Sequence, residues 1–264
     1  MVTKMKSITL WENVPGYIDG LEAPVLEYYP AENKKGNGAV VIFPGGGYCH
    51  RAKHEGEGYA VFFNELGLDA FVLQYRVAPY RFPLPLLDAR RAIRYVRANA
   101  EKYGIDPEKI AVMGSSAGGH LAATASTYTD AIEGEGVDEL DSVNCMPSAQ
   151  ILCYPVTDFN SHNGSYKNLF GDLYTELSET VNPIKNITSA TPPAFIWHTE
   201  TDTVVKIECT LDYVANLHLN NVRAELHVYP RGGHGLGLAK SDPLISRWTR
   251  DLASWLEYME YVGK

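Results

Sequence analysis

The sequence predicts an α/β fold in one domain over 1–264: a mostly parallel central sheet flanked by helices on both faces. Three observations carry that prediction. Short unbroken apolar runs alternate with helical stretches along the chain. A Gly-Ser-Ser-Ala-Gly pentapeptide lies between one such run and a helix, and two further glycine-rich turns follow directly on other runs. Continuous apolar segments of strand length mark strands buried on both faces, and strand–helix alternation makes a sheet parallel.

In chain order, residues 24–29 read as an early strand, closed by Pro30 and the turn cluster at 33–38. The run Ala39-Val40-Val41-Ile42-Phe43 is a buried strand that stops at Pro44-Gly45-Gly46-Gly47. A helix over 58–66 leads to a second buried strand, 70–75. From 85 to 103 the pattern is helical, with Leu87, Ala89, Ile93, Val96 and Ala100 on one face, arginines on the other, and Gly104 as the stop. A strand at 110–113 and a helix of small residues at 117–127 follow. Strands at 149–154, 194–198 and 224–229 complete the sheet, with helices near 207–219 and 246–261. In such sheets ligands bind beyond the carboxyl ends of the strands. Every chemically suggestive residue below falls at such an end.

Composition narrows the partners. Among 264 residues, 32 acidic side chains against 23 basic ones give a formal net charge of -9. That sign disfavours nucleic acid and anionic membranes. No run approaches the roughly 18 apolar residues of a membrane span. The basic start of the chain has no apolar core behind it before Trp11-Glu12-Asn13, so no secretory leader is expected. Cys49, Cys145, Cys153 and Cys209 lack metal or redox spacing and read as free thiols of a cytoplasmic protein. His50 and His54 stand four apart without a carboxylate partner pattern, so neither a metal nor another cofactor is expected. Homo-oligomer formation is left open.

Gly114-Ser115-Ser116-Ala117-Gly118 fits G-x-S-x-G in strand–turn–helix context. The turn is so sharp that its central residue is strained and side chains two positions away would collide with neighbouring elements, hence the glycines. Ser116 is therefore the candidate nucleophile, and Ser115 is out of register. Gly45-Gly46-Gly47 lets backbone N–H groups approach a substrate carbonyl. The amides of Gly46, Gly47 and Ala117 are the candidate oxyanion donors. Phosphate binding would need a lysine or a G-x-G-x-x-G spacing that this loop lacks.

His234, flanked by glycines after the strand at 224–229, is the candidate base, since imidazole exchanges protons near neutral pH. His198 and His227 fall in strands, His218 in a helix and His162 in an irregular segment, which suits them less well. Asp202, after the strand at 194–198, would fix the imidazole tautomer, with Glu200 and Asp158 as rivals. The order Ser116, Asp202, His234 is the one an elbow-bearing hydrolase sheet produces.

With these residues in place, the chain resembles the esterase and lipase branch of the α/β-hydrolases, and within it the bacterial acetyl-xylan-esterase-like, xylanase-associated group. The motifs that carry the resemblance are Phe43-Pro44-Gly45-Gly46-Gly47-Tyr48, Tyr75-Arg76-Val77-Ala78-Pro79, Asp88-Ala89-Arg90-Arg91-Ala92 and Asp106-Pro107-Glu108-Lys109-Ile110. Gly114-Ser115-Ser116-Ala117-Gly118-Gly119-His120-Leu121, Tyr154-Pro155-Val156 and Thr191-Pro192-Pro193 continue it over nearly the whole chain. The resemblance implies hydrolysis of short acyl esters, above all acetyl, on xylan-derived or other carbohydrate. One departure is Pro44, where hormone-sensitive-lipase-like relatives begin the oxyanion motif with histidine. Backbone donors survive that change.

Residues 157–190 are long for a connection between two sheet strands and contain Phe159, Tyr166, Phe170 and Tyr174. They are expected to form a small insertion over the catalytic edge and one wall of the pocket. Tyr48, Phe170 and Tyr174 are the candidate substrate-binding residues, for a small-molecule or oligosaccharide ester. Flat aromatics suit sugar rings and ordinary packing alike. The alternative activity is amide hydrolysis on the same scaffold, by a formamidase or a peptidase, though nothing here is long enough for a peptidase's gating domain. A binding protein without catalysis would be expected to break the triad, and all three members are present. Glycoside hydrolysis would need a carboxylate pair that outcompetes the serine constellation.

Overall fold

Ala39–Phe43 is buried at every position, and its side chains alternate between two cores. Val41 and Phe43 join Leu87, Ile93, Leu121, Tyr213 and Leu217 on one face of the sheet. Val40 and Ile42 join Tyr59, Phe63, Trp248, Leu252 and Leu256 on the other. This is why the strand reads as an unbroken apolar run: each face of a sheet sandwiched between helices must be apolar.

The computed structural model describes residues 5–158 and 162–263, apart from the side chain of Tyr174; the predicted pocket residue Phe159 and the Tyr174 ring thus lie outside the described residues. Within them one eight-stranded sheet forms from β1 (Lys6–Thr9), β2 (Val25–Tyr29), β3 (Ala39–Phe43), β4 (Asp69–Gln74), β5 (Ile110–Ser115), β6 (Ala149–Cys153), β7 (Ala194–Thr199) and β8 (Ala224–Tyr229). Their spatial order is β1-β2-β4-β3-β5-β6-β7-β8. The β1–β2 and β2–β4 pairings are antiparallel and the rest parallel. Sequence reading missed β1, an exposed polar edge strand with no alternation to betray it.

Helices α1 (Lys53–Glu65) and α8 (Arg247–Tyr258) cover one face; α2 (Leu84–Ala98), α4 (Ala117–Thr127) and α7 (Ile207–Leu219) cover the other. The predicted start of α1 at 58 is five residues late. Gly56 and Gly58 lower helix propensity, but Gly56 sits where a Cβ would come within 3.0 Å of Val72, so close packing overrides propensity. The predicted 85–103 helix breaks at Asn99, and the short α3 (Ala100–Tyr103) ends on Gly104 in the left-handed conformation. Three of the four arginines of α2 are not solvated. Arg90, Arg91 and Arg94 are buried against Glu135, Asp138 and Asp141 of the α4–β6 connection.

The segment after β6 folds into α5 (Asn163–Phe170), a 3₁₀ turn and α6 (Tyr174–Thr180). It lies over the carboxyl edge of β3, with Asn168 Nδ2 donating to Gly47 O at 2.8 Å and Phe82 N to Leu169 O at 2.8 Å.

Candidate active site

Three loops, with Asp202 on a fourth after β7, meet at the carboxyl ends of β3, β5, β7 and β8. The first is the turn from β5 into α4. Ser116 stands there at φ 54, ψ -120, a conformation an L-residue adopts only when its surroundings impose it. A Cβ on Gly114 would sit 2.0 Å from Gly118 O, and one on Gly118 2.0 Å from Phe43 O. Those clashes explain the two glycines of the pentapeptide. Ser116 N donates to Cys153 O at 3.0 Å and Ser116 O accepts from Val156 N at 3.1 Å, so the elbow is tied to the end of β6.

The second loop carries His234, the candidate base. His234 Nε2 lies 2.8 Å from Ser116 Oγ, and Nδ1 lies 2.7 Å from Asp202 Oδ2. A carboxylate can only accept, so Nδ1 carries the hydrogen and Nε2 presents its lone pair to the serine hydroxyl. The loop is held at several points. Thr199 and Thr201 hydroxyls donate to Gly232 O, His54 Nε2 donates to Gly235 O at 3.0 Å, and Gly237 N donates to the Tyr154 hydroxyl at 2.9 Å. The Tyr154 ring meets His234 edge-on, 5.1 Å between centroids.

Asp202 is buried. Burial opposes its ionisation, but hydrogen bonds from His198, His234 and the Val205 N–H outweigh it and hold the carboxyl well below the usual range. Its Oδ1 accepts from Val204 N and Val205 N at 2.9 and 3.0 Å. His198, set aside from the sequence as a packed strand residue, is fully buried with Nε2 3.4 Å from Asp202 Oδ2. That nitrogen donates to Val205 O, while Nδ1 pairs with the Thr210 hydroxyl. Its i,i+4 spacing from Asp202 was the only signal in the sequence. The rival Glu200 is exposed on the turn.

The third loop is Gly45–Gly47. Gly46 has φ +134, and a Cβ there would lie 2.2 Å from His50 O; Gly47 has φ +61. Among the described residues the amides of Gly46, Gly47 and Ala117 donate to no acceptor, Ala117 because it opens α4. They are free to bind an oxyanion.

The aromatic candidates differ from expectation. Tyr48 is 2% exposed, with its hydroxyl 2.7 Å from His120 Nδ1. Phe170 is also 2% exposed, stacked on Tyr166 and edge-on to Phe82. Neither offers a free ring to a ligand: Tyr48 packs edge-on to Tyr75 and His120, and Phe170 is turned in because α5 buries its apolar side against the loop after β4. Sequence reasoning passed over His162 and Asn168. His162 caps α5, its Nδ1 accepting from Ser165 N at 3.1 Å. Burial first, and then the nearby His234, push the pKa of its imidazole down.

This arrangement can activate a hydroxyl, hold a carboxyl-derived oxyanion on backbone amides and shuttle one proton. Comparison with known proteins agrees in kind. Endo-1,4-beta-xylanase B of Butyrivibrio fibrisolvens is 37% identical over 217 residues, 80% of this chain and 34% of that one. An acetylxylan esterase of Xylanibacter ruminicola is 30% identical over 251 residues, 90% of this chain and 49% of that one. The chain thus spans between a third and a half of these relatives. A solved acetyl ester-xyloside bifunctional hydrolase from Caldicellulosiruptor lactoaceticus superposes with TM-score 0.93 at 40% identity, covering 100% of this chain and 99% of that one. The BD-FAE family profile matches residues 27–217. The sheet, the elbow between β5 and α4 and that match together make the chain an α/β-hydrolase that belongs to the BD-FAE family.

Proposed function

We propose that this chain is a serine carboxylesterase that removes short acyl groups, above all acetyl, from xylan-derived carbohydrate by way of an acyl-enzyme on Ser116. One observation carries the reading: Ser116, His234 and Asp202 form a continuous hydrogen-bonded chain, with contacts of 2.8 and 2.7 Å. The substrate class is supported by the xylanase, the acetylxylan esterase and the acetyl ester-xyloside hydrolase it resembles.

Ser116 Oγ attacks the acyl carbon as His234 Nε2 takes its proton. The carbonyl oxygen becomes an oxyanion held by the amides of Ala117, Gly46 and Gly47, and Asp202 stabilises the imidazolium. Collapse breaks the bond to the sugar oxygen, which leaves with the proton from Nε2. Water then attacks the acyl carbon with His234 as base, the bond to Ser116 Oγ breaks as Oγ takes that proton back from Nε2, and the acid is released. No step calls for a cofactor. Among the described residues the four cysteines form no disulfide, which supports a reducing, cytoplasmic setting.

Turnover of p-nitrophenyl acetate, butyrate and octanoate, acetylated xylo-oligosaccharide, N-formylkynurenine and a peptide anilide tests the reading. Acetyl esters are expected to be cleaved fastest, with acetate released from the xylo-oligosaccharide, and a fluorophosphonate is expected to label Ser116. Absence of ester turnover, or amide cleavage exceeding ester cleavage, overturns it.

A further inference from the structure

The first turn of α1 contains a buried carboxylate, Glu55, that the mechanism above does not use. Its side chain is 3% exposed, and the one basic side chain within 4 Å of it among the described residues is the His54 imidazole at 3.8 Å, itself mostly in solvent. A buried acid without a firm ion pair costs stability unless hydrogen bonds compensate. Position three of a helix helps, because the helix N-terminus favours negative charge. The rest comes from two short bonds that lead to opposite sides of the reaction centre.

Glu55 Oε2 accepts from Gly45 N at 2.9 Å, and Ala52 N, at the start of the same helix, donates to Gly45 O at 2.8 Å. Both polar backbone groups of Gly45 are therefore held by α1, next to Gly46 and Gly47. Packing is tight: a Cβ on Gly45 would lie 2.4 Å from Glu55 Oε2 and 3.2 Å from Ser116 Cβ. Glu55 Oε1 accepts from the Tyr154 hydroxyl at 2.6 Å, and that hydroxyl accepts from Gly237 N, three residues beyond His234. Tyr154 also lays its ring edge-on to His234. His54 adds its own bond to Gly235 O.

We propose that Glu55 is a positioning residue for ester hydrolysis, fixing the oxyanion loop through Gly45 and the base loop through Tyr154. One helical turn then sets the distance between the groups that hold the oxyanion and the group that moves the proton. Substrate binding does not depend on it; the geometry at the moment of attack does. The inference rests on the serine esterase reading.

The test uses the intact chain with p-nitrophenyl acetate, with active sites counted by fluorophosphonate labelling run to completion so that misfolded molecules drop out. Glu55→Ala is expected to lower kcat per labelled site by about 10–100-fold while KM stays within about twofold, since loosening oxyanion donors removes transition-state stabilisation rather than affinity. Glu55→Gln keeps an acceptor for Gly45 N and is expected to recover most of the loss. Tyr154→Phe keeps the ring on His234 but cuts the link to Gly237, and should lower kcat by about 3–10-fold, in line with one net hydrogen bond. If Glu55→Ala yields too little folded protein, Tyr154→Phe alone decides. Unchanged kcat per labelled site in Tyr154→Phe, a loss confined to KM, or Glu55→Gln as impaired as Glu55→Ala overturns the proposal. An inactive, unlabelled wild type would instead strike at the esterase reading.

Discussion

The elbow at 114–118 and the α5–α6 insertion border the same cleft but are built on opposite plans. At the elbow the main chain is hemmed in by main chain: a Cβ on Gly114 would strike Gly118 O, one on Gly118 would strike Phe43 O, and the Ser116 backbone is bonded to Cys153 at the end of β6 and to Val156 beyond it. No side-chain rearrangement can shift Ser116 without moving strands buried on both faces. The insertion has no strand partner. It is held by Arg81 on Asn168 O at 2.6 Å, Phe82 N on Leu169 O, Asn168 on Gly47 O, and the rings of Tyr166, Phe170, Phe82 and His120. The chemistry is thus fixed by the sheet, and the entrance by side-chain packing that other sequences could replace.

The largest expected effects lie at the fixed end. Ser116→Ala should lower kcat/KM by on the order of 10⁴-fold or more, with circular dichroism and melting temperature nearly unchanged, because the hydroxyl supports chemistry rather than packing. Asp202→Asn should cost on the order of 10³–10⁴-fold. An amide can still accept from Val204 N and Val205 N, but its NH₂ would face His234 and drive the ring to the wrong tautomer. Glu200→Gln, at the exposed rival, should change little. If Glu200→Gln or Asp158→Asn proved the more damaging change, the acid would be misassigned and the contrast would fail at its fixed end.

That contrast also sets what could be read from the sequence. Backbone-imposed features leave residue-type signatures. Glycines at 114 and 118 are the only residues their sites admit, and the apolar run 39–43 records burial on both faces, so the elbow, most strands and the meeting of Ser116, His234 and Asp202 side chains were legible. Side-chain packing leaves a weaker trace. An aromatic in the insertion reads equally as a wall or as a contact, and Tyr48 and Phe170 turned out to face inward. Glu55 meets Gly45 and Tyr154, 10 and 99 positions away, and His198, on β7, meets Asp202 by a four-residue spacing that runs past the end of the strand. Such relations depend on tertiary proximity, which one sequence does not encode in its periodicity.

A smaller effect concerns the ground beneath the elbow. His120, on the first turns of α4, is fully buried, and burial pushes its imidazole down to about 3. The folded state keeps it neutral, while the unfolded chain takes up a proton below about pH 6.5. Protons therefore bind the unfolded state preferentially as pH falls from 6.5 towards 3, and stability is lost over that window, by up to about 1.4 kcal/mol per pH unit for one proton. Asp202, with its depressed carboxyl, adds a loss only below about pH 4. Urea midpoints between pH 7 and 4.5 should fall more steeply for the wild type than for His120→Phe. Equal slopes would mean that the ring is solvated and that the floor of the elbow is less rigid than its glycines imply.

The smallest effect is expected where the two regions touch. Asn168 Nδ2 donates to Gly47 O, so α5 rests on the loop whose amides are proposed to hold the oxyanion. Asn168→Ala removes one hydrogen bond at a half-buried site, worth about 0.5–1.5 kcal/mol net, or roughly 2–10-fold in kcat/KM if all of it is felt in the reaction. Because the bond shapes the entrance rather than the proton path, the loss should be larger for acetylated xylo-oligosaccharide than for p-nitrophenyl acetate, with the melting temperature little changed. An equal loss on both substrates would mean that α5 acts through the position of Gly47 and belongs to the catalytic frame. A loss as large as that of Asp202→Asn would erase the distinction between frame and wall altogether.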